Sequence, residues 1–329
     1  MKTGPAASLR RCGSEVATAC GAFAAIVTVQ HRIRNVLLLA GLALLAHGPP
    51  QGSRWSTREL RDGHVGPVEG VAFSPDGLRL ASADNSGTII VRSIPDFDIV
   101  AMLHGRNFTE VAWSADGTTL VAGGFDSLLY IWRKPFTQPP DTLRYPGQVE
   151  AVALRDEVVI GAGGGDHSIR RWNLVFGTEL LPFRGHSDDI YAVRVSPDGK
   201  IVVSGGRDRT IRVWNATTGH LMRILRDHDS VYDLTFSPDG VRLVSACRDG
   251  TIRIWNTHTW KAERLLRGPE NSVHGVAVSP NGQWLAGAGF DNRVWVWSLP
   301  GAASPLTLAG HRRKVSGVAF SPDGRWKHE

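Results

Sequence analysis

A unit of about forty residues recurs along this chain, and its period limits the possible folds more than any other feature. Six copies carry a turn opened by a serine, and six carry a strand that ends on tryptophan or, once, on arginine. The turn serines are Ser74, Ser114, Ser196, Ser237, Ser279 and Ser321. The strand ends are Arg92, Trp132, Trp172, Trp214, Trp255 and Trp297, spaced 40 to 42 residues apart. A fixed period of this length, built from strands and turns, is typical of propeller blades.

One copy, residues 185–226, shows what each unit folds into. Four short runs rich in apolar and β-branched residues are separated by turn residues, which predicts one antiparallel sheet. Such a sheet buries too little surface alone, so neighbouring sheets must pack against one another. We therefore expect an all-β fold, a β-propeller of four-stranded antiparallel blades. The strands predicted in this copy are 190–195, 200–204, 210–214 and 221–225.

The motifs of this copy resemble those of the WD-repeat β-propellers. It contains Gly185-His186, the turn Ser196-Pro197-Asp198-Gly199, and an aspartate six residues before Trp214. The resemblance covers about residues 55–329. It implies buried tetrads of hydrogen-bonded His, Ser, Asp and Trp, because a buried carboxylate or indole N–H is costly unless it is paired. The implied tetrads are His186, Ser204, Asp208 and Trp214 in the fourth blade, and His228, Ser245, Asp249 and Trp255 in the fifth.

The same residue types also make nucleophilic triads, in which serine attacks and histidine takes its proton. A catalyst needs one such constellation, whereas here the set recurs from blade to blade. Recurrence favours an architectural role. We therefore expect no catalytic residues, and the chain is not predicted to be an enzyme.

The copies divide the chain into an N-terminal extension, residues 1–54, and a propeller, residues 55–329. The seventh copy leaves the pattern after Trp326. We expect six complete blades and a partial seventh, from a truncated gene or a piece of a longer protein. The predicted repeats lie near 63–103, 104–143, 144–184, 185–226, 227–267, 268–309 and, truncated, 310–329.

The N-terminal extension contains two apolar runs, Ala17–Val29 and Val36–Ala46. Each is shorter than the 18 or so residues that a membrane-spanning helix needs, so no transmembrane span is expected. We predict a non-propeller segment that is partly helical or disordered, in a cytoplasmic protein. An alternative is export, because residues 31–48 combine arginines, an apolar run and small residues in the manner of an internal secretory signal.

Charge and cysteine usage exclude several classes of site. The net charge is +6, but basic and acidic residues are interleaved, and a nucleic-acid surface needs clustered basic residues. Three cysteines without metal-type spacing do not indicate a zinc site. The glycines of 161–165 lead into a strand and no Gly-Lys-Ser/Thr follows, so they do not indicate a phosphate loop. No cofactor and no metal are predicted.

The resemblance also implies where a partner would bind, because propellers of this kind commonly use the narrow face around the central channel. Aromatic and arginine side chains dominate the energetics of protein interfaces. An alternative is that the tyrosines pack into the channel wall and the arginines are solvated turn residues. The candidate partner-binding residues on this face are Tyr191, Arg207, Tyr232, Arg248, Phe125, Phe290 and His274.

These observations predict a non-catalytic scaffold for protein–protein interaction, which binds a protein or peptide on the narrow face. The alternative is a sensory or regulatory propeller cut from a larger signalling protein, such as a nucleotide-driven switch or a kinase with WD repeats. Both functions rest on analogy of fold, and one fold serves many roles.

Overall fold

The computed structural model describes residues 23–30, 36–42, 55–60, 63–301, 304–311 and 313–322. These residues form seven four-stranded antiparallel sheets. No helix within these ranges is long and apolar enough to cross a membrane.

The strands are short, and most contain six residues. In chain order they are β1 (Phe23–Gln30), β2 (Val36–Leu42), β3 (Trp55–Leu60), β4 (Val68–Phe73), β5 (Arg79–Asp84), β6 (Thr88–Ser93), β7 (Ile99–His104), β8 (Phe108–Trp113), β9 (Thr119–Gly124), β10 (Leu128–Arg133), β11 (Asp141–Arg144), β12 (Val149–Arg155), β13 (Val158–Gly163) and β14 (Ser168–Asn173). They continue with β15 (Thr178–Arg184), β16 (Ile190–Val195), β17 (Ile201–Gly206), β18 (Thr210–Asn215), β19 (Leu221–Arg226), β20 (Val231–Phe236), β21 (Arg242–Cys247), β22 (Thr251–Asn256), β23 (Ala262–Arg267), β24 (Val273–Val278), β25 (Trp284–Gly289), β26 (Val294–Ser298), β27 (Leu306–Leu308) and β28 (Val315–Phe320).

Blades one to six each use four consecutive strands, from β4–β7 in blade one to β24–β27 in blade six. The first strand of each blade is innermost and contacts the first strand of the next blade. β28 is the innermost strand of the seventh sheet and contacts both β24 and β4, so the inner strands close a ring. The all-β propeller with six complete blades is confirmed.

The seventh sheet corrects one expectation about the N-terminal region. Within the described residues the seventh repeat supplies only β28, and the sheet continues through β1, β2 and β3. β1 pairs with β28, with Val29 opposite Gly317. Residues 23–30 and 36–42, which we placed in a partly helical, non-propeller extension, are therefore strands of the propeller. A short apolar run fits a buried strand as well as a helix, and periodicity alone does not separate the two.

Other predictions about the two ends fall on residues outside the described ranges. These are residues 31–35 and 43–48 of the signal-like segment, and the departure from the repeat pattern after Trp326.

The cores lie between neighbouring sheets. Between blades three and four, for example, the Phe183 ring stacks on Trp214 with 5.3 Å between ring centroids, and Ile169 and Val202 are fully buried beside them. Blades approach so closely that a Cβ at Gly205 would lie 2.5 Å from Val231 Cγ1 of the next blade. A Cβ at Gly123, the penultimate residue of β9, would lie 2.6 Å from Val149 Cγ1 of the next blade, so both glycines are explained by sheet packing.

The turn between the first and second strands has the structure that its sequence predicts. In blade four, Ser196 Oγ donates a hydrogen bond to Asp198 Oδ1 at 2.6 Å and accepts one from the Ile201 N–H at 3.0 Å. Gly199 has a φ of 70°, a conformation that glycine adopts at little cost. The same serine–aspartate bond closes this turn in blades one, two and five.

Candidate partner-binding face

The structure brings the four predicted tetrad residues of blade four together. His186 Nδ1 lies 2.8 Å from Asp208 Oδ2, and His186 Nε2 lies 2.7 Å from Ser204 Oγ. Trp214 Nε1 donates to the same Ser204 hydroxyl at 2.9 Å. Burial lowers the pKa of His186. Burial alone would raise the pKa of Asp208, but the hydrogen bond and charge of His186 hold it below its ordinary value. The Ser204 hydroxyl is enclosed between two ring nitrogens, which is a structural arrangement.

Blade five uses a different residue from the one predicted. His228 is exposed, and Ser245 Oγ instead donates to Asp227 Oδ2 at 2.7 Å. Trp255 Nε1 completes the link by donating to Ser245 Oγ at 3.0 Å. Asp249 binds locally, since its carboxylate accepts from the Thr251 N–H and hydroxyl. The inclusion of His228 in the tetrad was therefore wrong.

Blade one contains a set that sequence reasoning missed. His64 Nδ1 lies 3.0 Å from Asp84 Oδ2, and His64 Nε2 lies 2.7 Å from Ser82 Oγ. Asp84 stands at the end of β5, eight residues before the strand-end position Arg92, whereas the repeat pattern has its aspartate six residues before that position. The chain did contain a usable signal, because the partner of the serine precedes it by 18 residues in blades one, four and five.

Four of the predicted partner-binding residues lie in contact as one row across blades four to six, which we call the aromatic row: Tyr191, Tyr232, His274 and Phe290. The ring centroids of Tyr191 and Tyr232 are 5.4 Å apart, and those of Tyr232 and His274 are 4.1 Å apart. His274 stacks on Phe290 at 3.7 Å, with 6° between the ring planes. Lys314 Nζ lies 4.1 Å above the Phe290 ring and ends the row.

The other three candidates lie outside this row. Arg248 is exposed and lines a shallow depression together with Tyr232, His274 and Phe290. The Arg207 side chain is 59% exposed, with its Nε 3.8 Å from Asp188 Oδ2. Phe125 is 42% exposed and lines the wall of the channel in blade two.

The aromatic row borders a cavity of about 460 Å³ at the mouth of the channel. One residue from the start of each inner strand lines it, so that all seven blades contribute. These residues are Glu69, Thr109, Glu150, Tyr191, Tyr232, His274 and Ser316.

A charged network that the sequence did not reveal crosses the channel below this mouth. Arg194 Nη1 lies 2.8 Å from Glu110 Oε1, and Arg194 Nη2 lies 2.6 Å from Asp233 Oδ1. Glu110 also accepts from the Val152 N–H, and Asp233 from the Val276 N–H. The network therefore ties together five blades, from the second to the sixth.

Three carboxyl groups of the channel have raised pKa values. Burial raises the pKa of Glu110 and of Asp233, although Arg194 opposes both shifts. Burial, with the negative charges of Asp189 and Glu69, raises the pKa of Glu150 to about 7. Burial would lower the pKa of Arg194, but its two carboxylate partners raise it further still. Within the described ranges no group of three or more His, Cys, Asp or Glu side chains is placed to hold a metal ion.

Known proteins with similar sequences cover parts of the chain. It is 30% identical to the 66 kDa stress protein of Physarum polycephalum over 37% of its length, and 31% identical to Protein FIZZY-RELATED 2 of Arabidopsis thaliana over 51%. It is 26% identical to human Coronin-7 over 53% of its length. The matched segments span only 21%, 37% and 19% of those three relatives, respectively.

The repeat itself identifies the family. The family model described as "WD domain, G-beta repeat" matches residues 55–93, 99–133, 177–215, 219–256, 260–298 and 303–326, which together make up more than half of the chain. The first three strands of blade three are not matched, and there Tyr145 takes the place of the usual histidine and donates to the Ser168 carbonyl. The resemblance of the repeats is thus confirmed, and the chain belongs to the WD40 family.

Proposed function

We propose that this protein is a non-catalytic scaffold that binds a partner protein or peptide on the narrow face of its propeller. Propellers of this family typically mediate protein–protein interactions. The observation that carries the proposal is the aromatic row, which borders an open cavity at the channel mouth. Half-buried aromatic rings beside exposed arginines have the composition of interface hot spots.

The tetrads support a role without chemistry. In blade four the Ser204 hydroxyl lies in hydrogen-bond contact with the rings of both His186 and Trp214, and in blade five Ser245 bonds Asp227 and Trp255. A nucleophile must instead present its oxygen to a substrate. Both serines are fully buried between strands.

The partner-binding face is tested by capture of binding proteins on the immobilised propeller, read by quantitative mass spectrometry. The variant Arg207→Glu/Arg248→Glu reverses two charges beside the aromatic row. The control Arg223→Glu/Arg267→Glu makes the same change on the exposed outer strands of the same two blades. We expect the first variant to lose specific partners that the control retains. An identical set of captured proteins for both variants would remove the basis for this face.

A second candidate is a sensory or regulatory propeller within a larger signalling protein. It is favoured by the relatives, since the matched segments span no more than 37% of the three described above. Sequencing the full transcript and its flanking genomic region tests it. A reading frame continuous with a kinase or nucleotide-switch domain supports it, and stop codons bounding the propeller on both sides oppose it.

A further inference from the structure

The channel mouth carries charge of the opposite sign to the chain as a whole. The chain has a net charge of +6. The cavity, by contrast, is lined by four carboxylates and one guanidinium: Glu69, Glu110, Glu150, Asp233 and Arg194. A cleft lined by one sign of charge between low-dielectric walls concentrates its field and attracts the opposite charge. A cationic ligand is therefore favoured at this mouth, even though the surrounding protein is basic.

Glu150 is the carboxylate that remains available to such a ligand. The Nη1 and Nη2 atoms of Arg194 already pair with Glu110 and Asp233, respectively. Among the described residues, no side chain makes an ion pair or hydrogen bond with Glu150, and its charged neighbours Asp189 and Glu69 are both acidic. The raised pKa of Glu150 is what burial without a cation produces. A guanidinium or ammonium group at this position would relieve that cost.

Aromatic rings face the same cavity from the next two blades. Tyr191 and Tyr232 line it together with Glu150, and their ring planes are tilted by 50°. The face of an aromatic ring attracts a cation, most strongly where water is excluded. A cation that enters the mouth thus meets a carboxylate from blade three and aromatic rings from blades four and five.

We propose that the channel mouth binds an arginine side chain of the partner, with Glu150 accepting its N–H groups and Tyr191 and Tyr232 packing on its plane. A planar guanidinium is weakly hydrated, stacks on aromatic rings and presents paired donors to a carboxylate, whereas an ammonium is a strongly hydrated point charge. This inference rests on the proposed function, because it names the side chain by which a partner would be recognised.

The test uses three fluorescently labelled hexapeptides, Gly-Ser-Gly-X-Gly-Ser, in which X is arginine, citrulline or lysine. Citrulline keeps the shape of arginine and removes its charge. Binding to the whole chain is followed by fluorescence anisotropy at low ionic strength. We expect the arginine peptide to bind about tenfold more tightly than the citrulline peptide, as for one charge-assisted hydrogen bond, and more tightly than the lysine peptide.

Three variants test the location of the site. Glu150→Gln removes the carboxylate, and we expect it to weaken binding of the arginine peptide about tenfold. Glu157→Gln makes the same charge change in the exposed turn that follows β12, and we expect it to leave binding unchanged. Tyr232→Leu removes one ring and is expected to weaken the arginine peptide more than the citrulline peptide. A thermal melt of each variant shows whether its fold is intact.

Equal affinities of the arginine and citrulline peptides would overturn the inference, and so would equal effects of the two glutamate variants. Lysine binding as tightly as arginine would overturn the choice of a guanidinium. The proposed function is judged separately by the capture experiment. If captured partners respond to Arg207→Glu/Arg248→Glu while the arginine peptide does not bind, only the arginine site is wrong.

Discussion

Asp227 accepts a hydrogen bond from Ser245 at 2.7 Å, in the position that His186 holds relative to Ser204 in the neighbouring blade. Its second oxygen lies 3.0 Å from Arg253 Nη1, and the Arg253 guanidinium lies 5.3 Å above the Trp255 ring. Blade five therefore joins its strands through a buried ion pair, where blade four uses a histidine.

Removing one partner of the ion pair between Asp227 and Arg253 should lower the free energy of unfolding. Asp227→Asn removes the charge that Arg253 faces at a site where both side chains are almost inaccessible. We expect the free energy of unfolding to fall by about 3 kcal/mol, because an unpaired buried charge remains. Urea denaturation measures the change. His228→Ala is the control, and we expect a change within about 0.5 kcal/mol for this exposed side chain. A larger loss for His228→Ala than for Asp227→Asn would contradict the structure.

Ser204→Ala tests the tetrad of blade four. The change leaves His186 Nε2 and Trp214 Nε1 buried without their shared partner. We expect a loss of about 2 kcal/mol in the free energy of unfolding, since each unsatisfied buried group carries a desolvation cost. Chemical denaturation followed by tryptophan fluorescence measures it. Ser187→Ala, an exposed serine of the same blade, should have little effect, and equal effects of the two variants would argue against the tetrad.

Glu150 should make stability depend on pH near neutrality. Its folded pKa of about 7 lies above the ordinary value of 4.5, so its contribution is fully present below pH 4.5 and is lost as the pH rises through 7. The charged groups that face it include Glu69 and Asp189, and Tyr191 lines the same cavity. We expect Glu150→Gln to be more stable than the natural protein at pH 8, by on the order of 1 kcal/mol, and to lose this advantage at pH 5.

Thermal melts at the two pH values measure this difference, and a ¹³C carboxyl titration reports the pKa directly. Glu157→Gln again serves as the control, because Glu157 lies in the exposed turn that follows the same strand. A pKa of Glu150 near 4.5, or an advantage of the glutamine variant that does not change with pH, would contradict the environment that the structure assigns.

Removing residues 1–48 should open the seventh sheet. The deletion takes away β1 and β2, which stand between β28 and β3. The edges of β28 and β3 that faced the deleted strands would then be unpaired and exposed. Exposed strand edges favour association with other chains. We expect a lower melting temperature and concentration-dependent aggregation, measured by differential scanning calorimetry and light scattering. A truncated protein that melts like the full chain and stays monomeric would show that these strands do not support the ring.

The sequence was a good guide where local chemistry decides the structure. The turn that contains Ser196 and Asp198 closes as the residue types predict, because its hydrogen bonds are made between near neighbours in the chain. The aromatic row was identified residue by residue, because the repeat period places equivalent positions of adjacent blades side by side. The period does not determine how the rings stack on one another.

Sequence reasoning failed where small shifts or distant contacts decide the structure. Asp227 and His228 are adjacent in the chain. The prediction followed the residue type and chose the histidine, whereas the spacing of 18 residues to Ser245 indicates Asp227. The link from Arg194 to Glu110 joins residues two blades apart, and a charged side chain within an apolar strand gives no sign of its partner. The apolar runs near the N-terminus were read as a separate segment because they lack the turn and tryptophan of the repeat.

The pairing of β1 with β28 determines when the seventh sheet can form during synthesis of this protein. β1, β2 and β3 leave the ribosome before the six complete blades, whereas β28, which completes their sheet, follows those blades in the chain. The six blades must therefore be translated while β1 lacks its partner strand β28. Because domains begin to fold during synthesis and long-range pairing is slow, the waiting segment is exposed to aggregation for that whole interval. Nascent chains of this protein should therefore need a chaperone on the N-terminal strands until β28 arrives.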